Sequence, residues 1–223
     1  MTDLSNRREY INRFSGKVTA SPRQMKALES ALDIRKFEID LYWKRAAYFW
    51  TFTAAALAGY FLLAKLKTPN PFEPTYVVSA LGFVFSIAWY FVNRGSKAWQ
   101  RNWEAHVDLL EDEIQGPLYK TGINRYTYDL CDITDAFPFS VSKINQILNL
   151  FVAAIWLFLI GRTLFLAEWS QPSHQLTFVI VTVISVGTVW LLYDKGKTTK
   201  TDAEIEIDLR QRKYVASREA DTN

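Results

Sequence analysis

The sequence predicts an all-α integral membrane protein with four transmembrane helices in two hairpins, long cytoplasmic helical extensions and a small β element. Three observations carry this expectation. Apolar residues are gathered into four blocks, each long enough to cross a hydrocarbon core of about 30 Å, which takes roughly 20 helical residues. Tryptophan and tyrosine stand near the block ends, as in interfacial belts. Lysine and arginine near the blocks fall mostly on one side, which sets orientation. Averaged over all 223 residues the signal vanishes, because Lys and Arg number 26 and Asp and Glu 23, most of them outside the blocks.

The polar opening MTDLSNRREYINRFSG precedes the first apolar block by a long stretch, so no cleavable secretory signal is expected, and residues 1–20 form a polar N-terminal segment. A helix should start next. Ser21 reads as an N-cap, Pro22 as the first helical residue and Gln24 as the closing member of a capping box. The helix then runs through the first block, Ala46 to Leu66, with Tyr48 and Trp50 near one end. A short outer loop with prolines, Lys67 to Pro74, leads to the second block, Thr75 to Val92. That helix continues through NRGSKAWQRNWEAHVDLLEDEIQ to a stop at Gly116-Pro117. Residues 21–116 therefore form a long helical hairpin. At about 1.5 Å per residue its ends reach about 30 Å past the hydrocarbon core, as a cytoplasmic stalk.

Residues 117–144 read as a cytoplasmic linker segment. The third block, Ile147 to Trp169, and the fourth, about Leu176 to Tyr193, lie within 145–193, joined by the outer loop Glu168 to Gln175. Residues 194–223 form a cytoplasmic tail. Ile205, Ile207 and Leu209 alternate with charge there, as Tyr126, Tyr128 and Leu130 do in the linker, which suggests a two-stranded element between them. The inner cations are Arg35, Lys36, Lys44, Arg45, Arg94, Lys97, Arg101, Lys143, Lys195, Lys197 and Lys200, against Lys65, Lys67 and Arg162 outside. Both termini are expected in the cytoplasm.

On the second extension Trp99, Trp103, His106 and Leu110 share a face, with Asp108, Glu111 and Asp112 placed largely elsewhere. That face needs a partner, and Met25, Leu28, Leu32 and Ile39 on the first extension offer one within a subunit or across a subunit boundary. Ala54 with Ala58 and Ala55 with Gly59 are small-xxx-small pairs in the first block, and Ser79, Gly82 and Ser86 recur in the second. In the fourth, Thr182, Ser185 and Thr188 recur every three residues. Inside lipid such patches mark close helix packing, or a water-lined path. Arg162 is the ionisable residue well inside a block. Its stem nearly spans the roughly 9 Å to the outer boundary, so it snorkels beside Glu168 or Glu73, or else lines a pore.

The chemistry of a reaction is not written in the chain. The lone Cys131 excludes an intramolecular disulfide and a multi-cysteine zinc site, and reads as a small buried residue. His106 and His174 are expected on opposite sides of the membrane, against a histidine metal site. The acidic run DLLEDE reads as a solvated helix face. There is no phosphate-binding glycine loop, nucleophile elbow or zinc-protease helix. No cofactor, no metal and no catalytic residue is expected. The juxtamembrane cations suit anionic lipid rather than nucleic acid.

The run Ser96-Lys97-Ala98-Trp99-Gln100, then Asn102-Trp103-Glu104-Ala105-His106-Val107-Asp108-Leu109-Leu110-Glu111, Gly116-Pro117-Leu118-Tyr119 and Phe139-Ser140-Val141-Ser142-Lys143-Ile144-Asn145, resembles the RipA family of bacterial membrane proteins. The resemblance covers most of the chain, from the first membrane helix to the fourth. It implies an inner-membrane protein that assembles as an octamer and is linked in some bacteria to growth inside host cells. It brings no catalytic residues. The expected function is a homo-oligomeric scaffold or regulatory assembly. An oligomeric channel is the alternative, and a membrane enzyme using the segment around His106 and Cys131 a third reading.

Overall fold

The computed structural model describes residues 11–15, 20–65, 72–121, 137 and 139–197. Four helices dominate: α1 (Pro22–Lys65), α2 (Phe72–Leu110), α3 (Val141–Phe165) and α4 (Pro172–Asp194). All four are long and apolar enough to cross a membrane. No strand occurs among the described residues. The expected pairing of Tyr126, Tyr128 and Leu130 with Ile205, Ile207 and Leu209 lies outside the described residues, as does Cys131.

The chain divides into two units, one made of residues 1–35, 101–127 and 200–223, the other of 36–100 and 128–199. In the first unit the start of α1 is fixed by a reciprocal cap. The Ser21 N–H donates to Gln24 Oε1 at 2.7 Å, and the Gln24 N–H to Ser21 Oγ at 3.3 Å. Two donors that the helix itself leaves unpaired are thereby satisfied. Leu28, Ala31 and Val107 form the buried core of this unit, with Leu32, Trp103, Leu110 and Ile114 against it.

The C-terminal end of α2 departs from expectation. The helix ends at Leu110, short of Gly116-Pro117, and Glu111 takes over. Its carbonyl accepts from the N–H groups of Ile114 (3.1 Å), Gln115 (2.9 Å) and Gly116 (3.0 Å), winding the chain into turns. Gly116 follows with φ of 79°, and a Cβ there would meet the Phe14 ring at 2.7 Å. Both the left-handed backbone and the close approach require glycine. Glu111 departs from the reading of DLLEDE as a solvated face, because its side chain is wholly buried, while Asp112 and Glu113 are exposed. Glu111 Oε2 accepts the Tyr119 N–H at 2.9 Å and Oε1 the Lys120 N–H at 3.2 Å, which ties the turn after Pro117 to the end of α2. Burial pushes this carboxyl above its ordinary range, against the two backbone N–H groups and Lys120, which pull it down.

In the second unit α2 is the hub. It runs antiparallel to α1, with Arg45 meeting Ser96, Phe49 meeting Trp89 and Phe52 meeting Phe85. It also meets α3 through Gly82 and Trp156, and α4 through Tyr76 and Thr182. Pro172 opens α4 at its first turn, where a missing N–H costs nothing. His174 packs beneath the Phe72 ring at 4.7 Å, and its Nδ1 lies 2.9 Å from the Glu168 carbonyl.

Candidate functional site: a polar seam between the helices

The interior of the second unit is built on a repeat. On α2 the residues Thr75, Ser79, Gly82, Ser86, Trp89, Asn93, Ser96 and Gln100 are all buried, at alternating steps of four and three. On α3 the buried set Asn145, Asn149, Val152, Trp156, Leu159 and Thr163 keeps the same rhythm. On α1 it is kept by Tyr42, Ala46, Thr53 and Tyr60, with half-buried Phe49 and Ala56 in the gaps. A mean repeat of 3.5 residues is that of helices packed at a shallow left-handed angle, knobs into holes.

What fills this seam is unusual for a core, because much of it is polar. Several hydroxyls are satisfied within their own helix: Thr75 Oγ1 on the Phe72 carbonyl, Ser79 Oγ on Tyr76, Ser86 Oγ on Gly82 and Thr163 Oγ1 on Leu159, all at 2.9–3.0 Å. Others cross between helices. Asn145 Nδ2 donates to Tyr42 Oη at 2.7 Å, joining α3 to α1. The Tyr60 and Thr163 hydroxyls join the same pair at 3.1 Å, and those of Tyr76 and Thr182 join α2 to α4 at 2.7 Å. Asn149 is wholly buried. With its carboxamide turned to suit its neighbours, Nδ2 donates to the Ser86 carbonyl at 3.2 Å and Oδ1 accepts the Tyr90 N–H at 2.8 Å. One amide thus bridges consecutive turns of α2.

Close backbone approach makes these bonds reachable. A Cβ on Gly82 would fall inside the indole of Trp156, itself wholly buried beside Tyr60, Val152 and Leu159. The Ser79, Gly82 and Ser86 pattern is therefore a packing surface for α3. The other small-residue set behaves differently. Ala54 and Ala58 are exposed, and a Cβ on Gly59 would meet nothing within 4 Å, so within one chain this patch is uncovered.

The remaining residues singled out by the sequence are not gathered in one place. Trp103 and Leu110 flank the Leu28, Ala31 and Val107 core of the first unit. Trp99 and His106 are exposed, the His106 ring lying 5.2 Å from that of Trp103. Arg162 is exposed in the last turn of α3, beside buried Thr163. Thr182 is committed to Tyr76, and Ser185 and Thr188 are half-buried. Asn149, Tyr42 and Asn93, central to the seam, were not among the residues the sequence singled out, and Asn145 entered only at the end of the run that carries the family resemblance. The signal that finds them is the 3.5-residue register that the two asparagines open at Asn145 and that runs on to Thr163.

The outside of the unit completes the picture. Large apolar side chains such as Phe61, Phe158, Val183, Ile184 and Trp190 are more than half exposed, and none of the apolar window of α4 is buried. Hydrogen bonds inside and bare hydrocarbon outside is the arrangement of helices dissolved in lipid, where association relies on packing and interhelical bonds. Residues 25–165 match the octameric membrane protein family (8xMP). The chain belongs to this family. The match takes in nearly all of α1 and the whole of α2 and α3, hence the seam on those three helices. No curated protein and no solved structure matches the chain. Family membership shows an oligomeric membrane protein, and agrees with the octameric membrane family that the sequence resembles. Among the described residues no group of three or more His, Cys, Asp or Glu side chains is placed to hold a metal ion.

Proposed function

We propose that the chain is one subunit of a homo-octameric scaffold or regulatory assembly of the bacterial inner membrane, acting without catalysis. The supporting observation is the division of labour in the second unit. Buried Asn145, Asn149, Tyr60 and Thr163 make helix-to-helix bonds, while the apolar stretch of α4, none of it fully buried, and the Ala54, Ala58 and Gly59 patch of α1 are available to neighbouring subunits and lipid. In this reading the helices cross as two hairpins, with both termini and the segments 22–35 and 101–121 in the cytoplasm, on the side that holds most juxtamembrane cations. His106, and Trp99 just before segment 101–121, are exposed and suit contacts between subunits.

A channel is the competing reading, with a path lined by Ser185 or Thr188 where copies of α4 meet around an axis. One experiment addresses both. An electron-microscopy reconstruction in lipid nanodiscs, paired with conductance across planar bilayers, should give a ring of eight subunits and no current. A monomer under all conditions would defeat the assembly reading. A water-filled centre lined by Ser185 and Thr188, with measurable conductance, would replace the scaffold by a channel.

A further inference from the structure

One end of the seam carries donors without acceptors. Trp89 Nε1 and Asn93 Nδ2 are buried N–H groups with no hydrogen-bond partner, on residues 0 % and 2 % exposed. Buried donors are nearly always satisfied, by protein or by a bound species. These two stand four residues apart on one face of α2, in line with Ser96, on the side where Trp89 and Ser96 meet α1. Three residues further on, Ser96 Oγ holds Arg45 Nη1 at 2.9 Å. The Glu38 carboxylate stands 4.0 Å from that nitrogen, beyond hydrogen-bond reach, and a guanidinium offers five N–H donors. Arg45 is partly exposed and forms the accessible end of this line of donors. Beside Trp89 the surroundings are aromatic, with Phe49 stacked on it at 5.8 Å and Trp50 edge-on at 4.8 Å.

The depth of these donors in the membrane follows from the sequence. Arg45 immediately precedes the apolar block of α1, and Asn93 immediately follows that of α2, so both stand at the level of lipid headgroups. Lys44, Arg94 and Lys97 crowd the same level. Trp89 lies one turn deeper, toward the hydrocarbon, with its aromatic neighbours.

The geometry points to a site for an anionic phospholipid between α1 and α2. Its phosphodiester accepts from Arg45 and Asn93, and an ester carbonyl, which lies deeper than the phosphate, accepts from Trp89 Nε1. Cationic residues alone would give a diffuse attraction to anionic lipid. The orphaned donors make it a site, with a direction from phosphate to ester that matches their order along α2. The inference rests on the membrane setting and not on the scaffold reading, because a channel subunit would hold the same lipid.

The test is native mass spectrometry of the intact assembly released from detergent, titrated separately with phosphatidylglycerol, phosphatidylcholine and inorganic phosphate. Phosphatidylglycerol should be retained by the unaltered protein, and its apparent affinity should fall about tenfold in Arg45→Gln and in Asn93→Leu, the loss expected for one charge-assisted hydrogen bond. Trp89→Phe keeps the ring packing and should weaken retention by a smaller factor. Equal retention by Arg45→Gln and the unaltered protein would overturn the site. Equal uptake of phosphatidylcholine would overturn its anionic character, and saturation by inorganic phosphate would make it a free-anion site instead. Should Asn93→Leu elute as misfolded material, Arg45→Gln, on a partly exposed side chain, decides the matter. Subunit number read from the same spectra keeps failure of the lipid site distinct from failure of the assembly.

Discussion

Adding one methyl group at position 82 probes the closest approach in the seam. The Cβ of a Gly82→Ala variant would stand 2.6 Å from Trp156 Cδ2 and closer still to two further atoms of the same ring. Real Cβ contacts essentially never come so near. The indole has nowhere to go: Trp156 is wholly buried, with Tyr60, Val152 and Leu159 around it and the Tyr60 ring edge-on at 6.4 Å. Relief therefore requires α2 and α3 to separate, which also strains the Asn149 bridge one turn along α2. Overpacking of this kind costs about 1–3 kcal/mol. For a chain of this size that lowers the melting temperature by about 2–12 °C. Trp156→Leu removes the offending ring and should be destabilising alone by about 2–5 kcal/mol through the cavity it leaves. Combined with Gly82→Ala it should cost at least about 1 kcal/mol less than the sum, because the methyl then occupies emptied space. Thermal melting in detergent, followed by the fraction that still elutes as assembled protein, measures all three variants. A Gly82→Ala protein that melts with the parent, or strict additivity in the double variant, would refute this packing.

Four further substitutions examine the polar groups. Asn149→Leu should cost no more than about 1 kcal/mol, close to the mean measured for interhelical bonds in membrane proteins, because Ser86 C=O and Tyr90 N–H are partners of an ordinary helical bond without it. Asn149→Asp places a carboxylate in the same buried spot and should be far more damaging, both being read as shifts in melting temperature. Tyr60→Phe should also be mild, about 0.5–1 kcal/mol, since Thr163 Oγ1 keeps the Leu159 carbonyl at 2.9 Å as a partner; a collapse of folding would show that Tyr60 anchors more than this bond. Glu111 adds a pH dependence. Its folded pKa is raised, so the folded state holds the proton more tightly than the unfolded chain does. Its stabilising contribution is full below the ordinary carboxyl value of about 4.5, and is lost as pH rises from there through the raised folded value. Melting profiles of the parent and Glu111→Gln should therefore differ in slope over that window and run parallel above it, and identical slopes throughout would contradict the burial argument.

What the sequence showed and what it hid follow from how local each signal is. The start of α1 was legible because the Ser21 and Gln24 cap is made from residues three apart. The four helices were legible because apolar blocks of membrane length admit few alternatives. The end of α2 was not, because Glu111 to Gln115 are adequate helix formers and the termination is tertiary: a buried carboxylate reaches forward to Tyr119 and Lys120 while its own carbonyl gathers three N–H groups. The stripe Trp99, Trp103, His106 and Leu110 divides in the structure. Val107, packed on Leu28 and Ala31, turns Trp103 and Leu110 inward and leaves Trp99 and His106 outside. A repeat alone cannot fix phase when aromatic residues stand on both sides of it.

The hydroxyl and amide residues of the seam show why the membrane interior was the harder part to read. In a water-soluble bundle, the same 3.5-residue register filled with Ser, Thr and Asn would be a poor core, since each polar group forfeits its solvent and little apolar area is buried in return. In lipid the comparison changes, because hydrocarbon surrounds the helix whether or not it associates. Small residues then matter for how near they let two backbones come, and hydroxyls for the bonds that nearness permits. Gly82 admits Trp156, and one turn along α2 Asn149 reaches the Ser86 carbonyl and the Tyr90 N–H. Many large apolar side chains then cover the outside, as on α4, no residue of whose apolar stretch is fully buried. A subunit built this way can be held together within itself and still present most of its hydrocarbon surface to its neighbours, which is what membership in an oligomeric membrane family requires of it.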